Sequence, residues 1–325
     1  MTTTKILGLG NALVDIVIQL ENDSQLNELE LPKGSMQLVD LERAQRILNY
    51  FKNSPHTLTS GGSAANTLNG VANLGGNASF VGCVGNDKYG EFFKTDMLES
   101  GIKPHLFTGT VGTGTAITLM SPDSERTFAT YLGSAIELSA NHLSAEVFEG
   151  YDYFHIEGYL VQNYDLIRTA IRLAKQAGCR VSLDLASYNV VEENLPFLTE
   201  MVENYVDILF ANEEEAHAFC KKSAEETLTY FAKFAEYAIV KIGKKGSLVQ
   251  HKNQVEHIGI PTGEIRVIDT NGAGDAYAAG FLHGIMTNMD LKSCGNLGAK
   301  LAGEVVQVVG PKLSKNQWKK ILNNA

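Results

Sequence analysis

The sequence contains little of what marks secreted, membrane-spanning or nucleic-acid-binding proteins. Its four cysteines lie far apart and form no CxxC pair, which predicts reduced, mostly buried thiols rather than disulfide bonds. No apolar segment is long enough to span a bilayer, and the N-terminal MTTTKILGLG has no signal-peptide pattern. Basic residues are also scarce: 27 Lys and Arg stand against 37 Asp and Glu, a net charge of −10. We therefore expect a cytoplasmic protein with no nucleic-acid and no membrane partner.

What the chain does contain is an alternation of short strand-like and helix-like segments. Apolar runs such as KILGLG (5–10) and ASFVGCVG (78–85) are typical of buried strands, and helical patterns such as 164–177 follow them. Repeated βα units place the strands in parallel, with helices on both faces of the sheet. The sequence therefore predicts an α/β fold with a mostly parallel sheet.

Two β-rich segments, about 14–40 and 105–131, interrupt this alternation. Both have alternating apolar residues and turn signals that favour antiparallel strands over βα units. The simplest architecture pairs them in a small sheet that projects from the main one. Because open α/β sheets bind ligands at the carboxyl ends of their strands, such a sheet beside that edge would act as a lid.

The segment DTNGAGDAYAAGFL (269–282) carries the strongest chemical signal. Gly272 and Gly274 permit a tight turn whose N–H groups converge, and the helix that follows adds its positive end, so the segment predicts an anion hole. Asp275 lies in the first helical turn, where it could accept a proton from an attacking hydroxyl. An ordinary helix cap is the alternative, but a cap alone does not require both glycines.

Polar and glycine-rich stretches in the first 66 residues predict a place for a hydroxyl-bearing ligand. Asp15 is an acid among apolar residues and could accept hydrogen bonds from sugar hydroxyls, or be a structural acid. Gly61 and Gly62 would let a ligand approach the backbone, and Asn66 offers a donor and an acceptor. The alternative is an ordinary glycine loop capped by Ser63.

Two further stretches follow predicted strands. Asn212, with Glu215 three residues later, could hold a hydrated Mg²⁺ near phosphates, although acids are also common in a first helical turn. The glycines of the Lys241–Gly243–Gly246 stretch would let the backbone pass a nucleotide, or would form a plain hairpin turn. A dinucleotide site at Gly8-Leu-Gly10 is not expected, because Leu13 stands where the third glycine is required.

Together these stretches resemble the PfkB family of ribokinase-like sugar and nucleoside kinases. Residues 269–282 resemble its C-terminal signature and residues 61–93 its N-terminal signature, and the resemblance covers nearly the whole chain in the family's order. It implies a ribokinase-like three-layer, doubly wound fold over residues 1–325 as a single catalytic domain with a lid. It further implies ATP and Mg²⁺, and, since the lid mediates dimerisation in several members, a homodimer through the lid.

The resemblance also implies roles for individual residues. Asp275 matches the catalytic base, and the anion hole comprises Gly272, Ala273 and Gly274. Asp269 lies where some members hold a monovalent cation such as K⁺.

The remaining matches concern ligand and metal binding. They are Asp15, Gly61, Gly62 and Asn66 at sugar-binding positions, Asn212 and Glu215 in a motif that organises Mg²⁺ and phosphates, and Lys241, Gly243 and Gly246 on the ATP-side loop.

Three stretches bear on the phosphoryl acceptor. GNALVDI (10–16), DTNGAGD with Asn271, and SERTFATYLGSA (124–135) resemble the adenosine kinases of this family, where an arginine matching Arg126 contacts phosphate. GGSAAN (61–66) departs from those adenosine kinases after GGS. We expect a kinase for the 5′-hydroxyl of adenosine or a similar nucleoside. A kinase for ribose, fructose or another carbohydrate is the alternative, and a non-catalytic ligand-binding regulator a remote one.

Three apolar side chains have two interpretations. Met36 and Leu38 in the predicted lid, with Tyr159 near a strand end, could provide a surface against a purine base. They could equally belong to the core of the lid.

Overall fold

The alternation of the sequence produces two β-sheets in a computed structural model, which describes residues 4–123 and 125–323. The strands within this range are, in chain order, β1 (Lys5–Leu9), β2 (Leu13–Gln19), β3 (Met36–Leu38), β4 (His56–Gly61), β5 (Asn77–Val84), β6 (Ile102–Thr108), β7 (Gly114–Met120), β8 (Arg126–Tyr131), β9 (Tyr153–Glu157), β10 (Arg180–Asp184), β11 (Ile208–Asn212), β12 (Tyr237–Lys241), β13 (Ser247–His251) and β14 (Gln254–Ile258).

The α-helices of the same range include one that matches the predicted helical segment 164–177 and one that falls inside the segment 14–40, which was expected to be β-rich. They are α1 (Ser24–Glu28), α2 (Leu41–Tyr50), α3 (Ser63–Asn73), α4 (Lys88–Glu99), α5 (Tyr164–Gln176), α6 (Tyr188–Glu193), α7 (Leu195–Asn204), α8 (Glu213–Cys220), α9 (Ala224–Phe231), α10 (Ala273–Met286), α11 (Leu291–Val305) and α12 (Lys315–Asn323). In this part of the chain, no helix combines the length and hydropathy needed to cross a bilayer.

The large sheet confirms the predicted α/β fold class. Among the described residues its order is β14-β13-β12-β11-β10-β9-β1-β5-β6, with parallel pairing from β12 to β6 and antiparallel pairing of β13 and β14. Its central strands are buried on both faces, as shown by the adjacent residues His155 and Ile156 of β9, because helices cover each side. The result is the ribokinase-like arrangement, in which the carboxyl ends of the parallel strands share one edge.

A second, smaller sheet has the order β3-β8-β7-β2-β4. Residues alternate between its two faces, so that Val14, Ile16 and Ile18 of β2 join a buried apolar cluster with Ile47 of α2, whereas Asp15 lies on the opposite face.

The boundaries of this small sheet differ from the prediction in two places. Residues 105–108 belong to β6 of the large sheet, because Gly101 ends the preceding helical segment and Ile102 starts a strand that pairs in parallel with β5. The small sheet also includes β4, which was not expected. Its sequence HTLTSG contains few apolar residues and therefore gives little indication of a strand. The strand is held mainly by antiparallel pairing with β2.

Candidate active site

A large cavity lies between the carboxyl ends of the parallel strands and the small sheet. Its volume is about 1440 Å³, whereas a pocket for one small ligand is usually about 300–1,000 Å³. The cavity therefore has room for two ligands at once. The predicted site residues that line it are Asp15, Gly62, Asn66, Asn212, Glu215, Lys241, Gly243, Gly246, Gly272, Ala273, Gly274 and Asp275.

Four neighbouring parallel strands end in a polar side chain at this cavity. Glu157 ends β9, Asp184 ends β10, Asn212 ends β11 and Lys241 ends β12, and all four line the cavity wall. Parallel pairing places these ends at one edge, with Asp184 beside Glu157 and Asn212 beside Lys241. This edge is where ligands bind in open α/β sheets.

The glycine-rich loop before α10 has the geometry of an anion hole. Gly272 has φ 75°, in the left-handed region, and a Cβ there would overlap the Cβ of Pro311. In the part of the chain that the structure describes, the N–H groups of Gly274 and Asp275 have no hydrogen-bond partner. They lie at the positive end of a 14-residue helix, so they can bind an anionic group.

Asp275 lies beside these N–H groups and is held by the start of another helix. Its carboxylate accepts hydrogen bonds from Ser63 Oγ at 2.7 Å and from Asn66 Nδ2 at 3.0 Å. Burial raises the pKa of Asp275 to about 6, although both hydrogen bonds favour the ionised form. A half-buried carboxylate with this pKa can accept a proton near neutral pH.

Asp15 and Gly62, one of the two glycines that precede α3, form another part of the cavity. A Cβ on Gly61 would lie 2.5 Å from Oδ2 of Asp15, so Gly61 itself lies directly behind this carboxylate rather than in the cavity wall. Gly62 has φ 98°, and a Cβ there would overlap the carbonyl oxygen of Asn11. Burial raises the pKa of Asp15 to about 7, and the charge of Lys312 opposes this shift.

Glu157 is a cavity residue that the sequence analysis missed. Its carboxylate accepts hydrogen bonds from Asn11 Nδ2 at 2.6 Å and from the N–H of Ala64 at 3.1 Å. Only 2% of Glu157 is exposed, and this burial raises its pKa to about 7. The available signal was an acid ending the otherwise apolar run YFHIEG.

Asp184 is a second cavity residue that was not predicted, and its signal was of the same kind: an acid near the end of the apolar run RVSLDL. Its carboxylate accepts a hydrogen bond from Lys241 Nζ at 3.0 Å and another from the N–H of Ala186 at 3.0 Å. The non-glycine residue Ala186 has φ 67°, which shows how tightly the chain turns around this carboxylate.

Asn212 and Glu215 form a reciprocal cap at the start of α8. Asn212 Oδ1 accepts from the N–H of Glu215 at 2.8 Å, while Glu215 accepts from the N–H of Asn212 at 2.8 Å and from its Nδ2 at 2.7 Å. The capping interpretation is therefore present in the structure. Yet Glu215 is 2% exposed, and burial, followed by the charge of Asp184, raises its pKa to about 7.

The donor set fits a hydrated Mg²⁺ that arrives with phosphates. Within residues 4–123 and 125–323, no group of three or more His, Cys, Asp or Glu residues is placed to hold a metal ion alone. Mg²⁺ usually keeps several waters and binds through one or two carboxylates and the phosphates of its substrate. Asp184 and Glu215, whose charges interact, offer such carboxylates at the cavity wall.

Arg126 and Asp269 form an ion pair outside the cavity wall. Asp269 also accepts hydrogen bonds from the N–H groups of Asn271 at 2.9 Å and Gly310 at 2.8 Å. The Nε and Nη2 atoms of Arg126 are buried and have no hydrogen-bond partner among the described residues. The guanidinium thus links the small sheet to the loop that precedes Gly272.

Two apolar surfaces face the cavity. Met36 and Leu38 of the small sheet are 61% and 66% exposed and line the cavity with Phe128, so the interpretation that they form the core of the lid is wrong. A second apolar surface lies beside the 243–246 turn and includes Ile260 and Val267.

A doubly wound α/β fold with such a loop, an adjacent carboxylate and room for two ligands is the architecture of a phosphotransferase. The chain matches the pfkB family of carbohydrate kinases over residues 36–318, and it belongs to this family. It is therefore a phosphotransferase with a hydroxyl group as acceptor, and membership of a kinase family implies ATP as the phosphoryl donor.

Individual relatives carry two kinds of name. The chain is 27% identical to an adenosine kinase of Saccharomyces cerevisiae, over 95% of this chain and 96% of that one. The structure of the adenosine kinase from Sinorhizobium meliloti is 33% identical, covers 100% of both chains and has a TM-score of 0.87. A probable sugar kinase from Rhizobium etli is also 33% identical, with the same TM-score, over 100% of this chain and 99% of that one.

Proposed function

We propose that the protein transfers the γ-phosphoryl group of ATP to the 5′-hydroxyl of adenosine or a closely similar nucleoside. The observation that carries this choice is the apolar surface that the exposed Met36 and Leu38 form with Phe128, which faces the cavity on the same side of the small sheet as Asp15. A purine base would cover this surface, whereas a free sugar would leave it in contact with water. The names of the relatives from Saccharomyces cerevisiae and Sinorhizobium meliloti support the same choice.

In this proposal each part of the cavity has one task. Asp15 and Asn66 bind the ribose hydroxyls, and Asp275 takes the proton of the 5′-hydroxyl as its oxygen attacks the γ-phosphorus. The N–H groups of Gly274 and Asp275 bind the negative charge that develops on the transferred group. The small sheet covers the cavity and excludes water, which would otherwise compete as the acceptor.

Arg126 and the ATP-side residues complete the proposal. A contact of Arg126 with the γ-phosphoryl group stays a prediction, because its ion pair with Asp269 lies outside the cavity wall. The 243–246 turn would lie against the nucleotide. Glu215, Asn212 and Asp184 would hold Mg²⁺ through water. Bound there, the ion would neutralise part of the charge on the β- and γ-phosphates. The homodimer through the small sheet, a K⁺ ion at Asp269 and a cytoplasmic location stay predictions.

A substrate panel tests the proposal. Purified protein with ATP and Mg²⁺ should phosphorylate adenosine with much higher kcat/KM than ribose or fructose. As a matched control, 5′-deoxyadenosine lacks the accepting hydroxyl, so it should inhibit competitively and yield no phosphorylated product. Turnover of ribose or fructose without turnover of adenosine would instead support a sugar kinase, which the Rhizobium etli relative makes the second candidate.

The proposed base also predicts the pH dependence of turnover. Asp275 must be ionised to accept a proton, and its pKa is raised to about 6, so the active form is present above this pH and is lost below it. We expect kcat to fall about tenfold per pH unit below pH 6. A kcat that stays constant down to pH 4.5, with the protein still folded by circular dichroism, would contradict this assignment.

A further inference from the structure

The side chain of Lys241 occupies an unusual position in the cavity. It comes from the last residue of β12, and its Nζ donates a hydrogen bond to Asp184 at 3.0 Å. A Cβ on Gly274 would lie 3.1 Å from this Nζ, so the ammonium group lies directly against the loop with the two unpaired N–H groups. The side chain is 15% exposed and lines the cavity.

Lys241 brings a positive charge to a part of the cavity wall that is rich in carboxylates. Its Nζ lies 3.0 Å from the carboxylate of Asp184, and Glu215 and Asp275 line the same cavity.

A purely structural ion pair does not explain this arrangement. An ammonium group has three donors, and across residues 4–123 and 125–323 Asp184 is the one hydrogen-bond acceptor that Nζ has. The same Nζ lies against Gly274, at the start of α10, whose N–H groups can bind an anion. A buried pair kept only for stability is also weak in principle, because two apolar residues of similar volume serve as well.

We propose that Lys241 is a further catalytic residue whose ammonium group contacts the transferred phosphoryl group together with the N–H groups of Gly274 and Asp275. Asp184 holds the ammonium in place between turnovers. This inference rests on the proposed kinase function of the same cavity and adds a charged donor to it.

The step balances without a change in the protonation of Lys241. A bond forms between the acceptor oxygen and the γ-phosphorus, and the bond between that phosphorus and the β,γ-bridging oxygen breaks. The hydroxyl proton passes to Asp275, and ADP leaves with the bridging oxygen. The ammonium group stabilises the oxygens of the group in transit, where negative charge must be neutralised.

The test compares K241M with K241R and with K319M, a control in which an exposed lysine of α12, outside the cavity wall, is replaced. We expect K241M to lower kcat by about 100-fold or more, as for the loss of one donor to a developing charge. The KM of the nucleoside should change little. K241R should recover part of kcat, and K319M should behave as the wild type.

Nucleotide binding provides a readout that a structural role would not move. With Mg²⁺ present, K241M should weaken the binding of ATP at least about tenfold more than the binding of ADP, because only ATP carries the γ-phosphoryl group. A tenfold loss corresponds to one charge-assisted contact. Equal weakening of both nucleotides, or an unchanged kcat, would overturn the inference.

Two further controls keep the result interpretable. K241M leaves the carboxylate of Asp184 buried without its charged partner, so the double variant K241M/D184N restores a neutral pair if the single variant does not fold. It should regain stability but not kcat, and near-wild-type kcat would overturn the inference. If the wild type phosphorylates no hydroxyl compound, the proposed function fails, while the comparison of ATP with ADP still tests Lys241 by itself.

Discussion

The Asp275→Asn variant is expected to lose turnover by about 10²- to 10⁴-fold while its fold remains intact, the range for removal of a general base. Asn cannot accept the hydroxyl proton, but it is nearly isosteric with Asp. Asn66 can adapt, because its Oδ1 is buried with no partner among the described residues, and a flip of its amide would offer this oxygen to the new NH₂ group.

The measurements are kcat at saturating ATP and nucleoside and the thermal midpoint of unfolding. Binding of ATP to the variant should remain, since the N–H groups of the loop are unchanged. An Asp275→Asn protein with near-normal kcat would remove Asp275 as the base, whereas one that no longer binds ATP would show a broader loss of the site.

The Gly272→Ala variant is expected to lose both stability and activity. A residue with a side chain at φ 75° costs about 1–2 kcal/mol. The new Cβ would also lie 2.7 Å from the Cα of Pro311, and overpacking of this kind adds about 1–3 kcal/mol. The loop must therefore move, so the N–H groups of Gly274 and Asp275 lose their alignment and kcat should fall by about 100-fold.

Gly101→Ala is the matched control for this prediction. Gly101 has φ 78°, but apart from its chain neighbours a Cβ there would meet no atom of the described residues within 4 Å. Urea unfolding should therefore show for Gly101→Ala only the conformational cost of about 1–2 kcal/mol, with unchanged kcat. If Gly272→Ala lost no more stability than Gly101→Ala and kept its kcat, the loop would not depend on glycine at this position.

Local patterns were enough to predict most of the secondary structure. The apolar runs that became β1 and β5 are buried parallel strands, and a parallel strand covered on both faces carries this signal in its own residues. The starts of α3 at Ser63 and of α10 at Ala273 followed from the glycines just before them, Gly62 and Gly272, which are the N-cap residues of these helices.

Pairing between distant segments was harder to predict. The strand β4 lies at the edge of the small sheet and depends on β2 for its hydrogen bonds, so HTLTSG alone carries little strand signal. Residues 105–108 looked like part of the small sheet, because their composition does not reveal whether the partner strand is β5 or β7.

Alternation predicts that Met36 and Leu38 share one face of a strand, but not whether that face packs against a core or opens onto a cavity. The answer depends on what lies opposite, and in the structure the cavity lies there. Glu157 and Asp184 were missed because an acid at the end of a strand has the same local pattern whether it faces solvent or a site.

The sequence alone was sufficient for the α/β alternation, the glycine-rich loop and its neighbouring acid, because propensity, capping and periodicity act over a few residues. Only the folded chain brings Asp275 to Ser63 and Asn66, which are 212 and 209 positions away. The same holds for Lys241 against Asp184 and Gly274. Such contacts depend on how helices and strands pack together, and that packing is not contained in any short stretch of the chain.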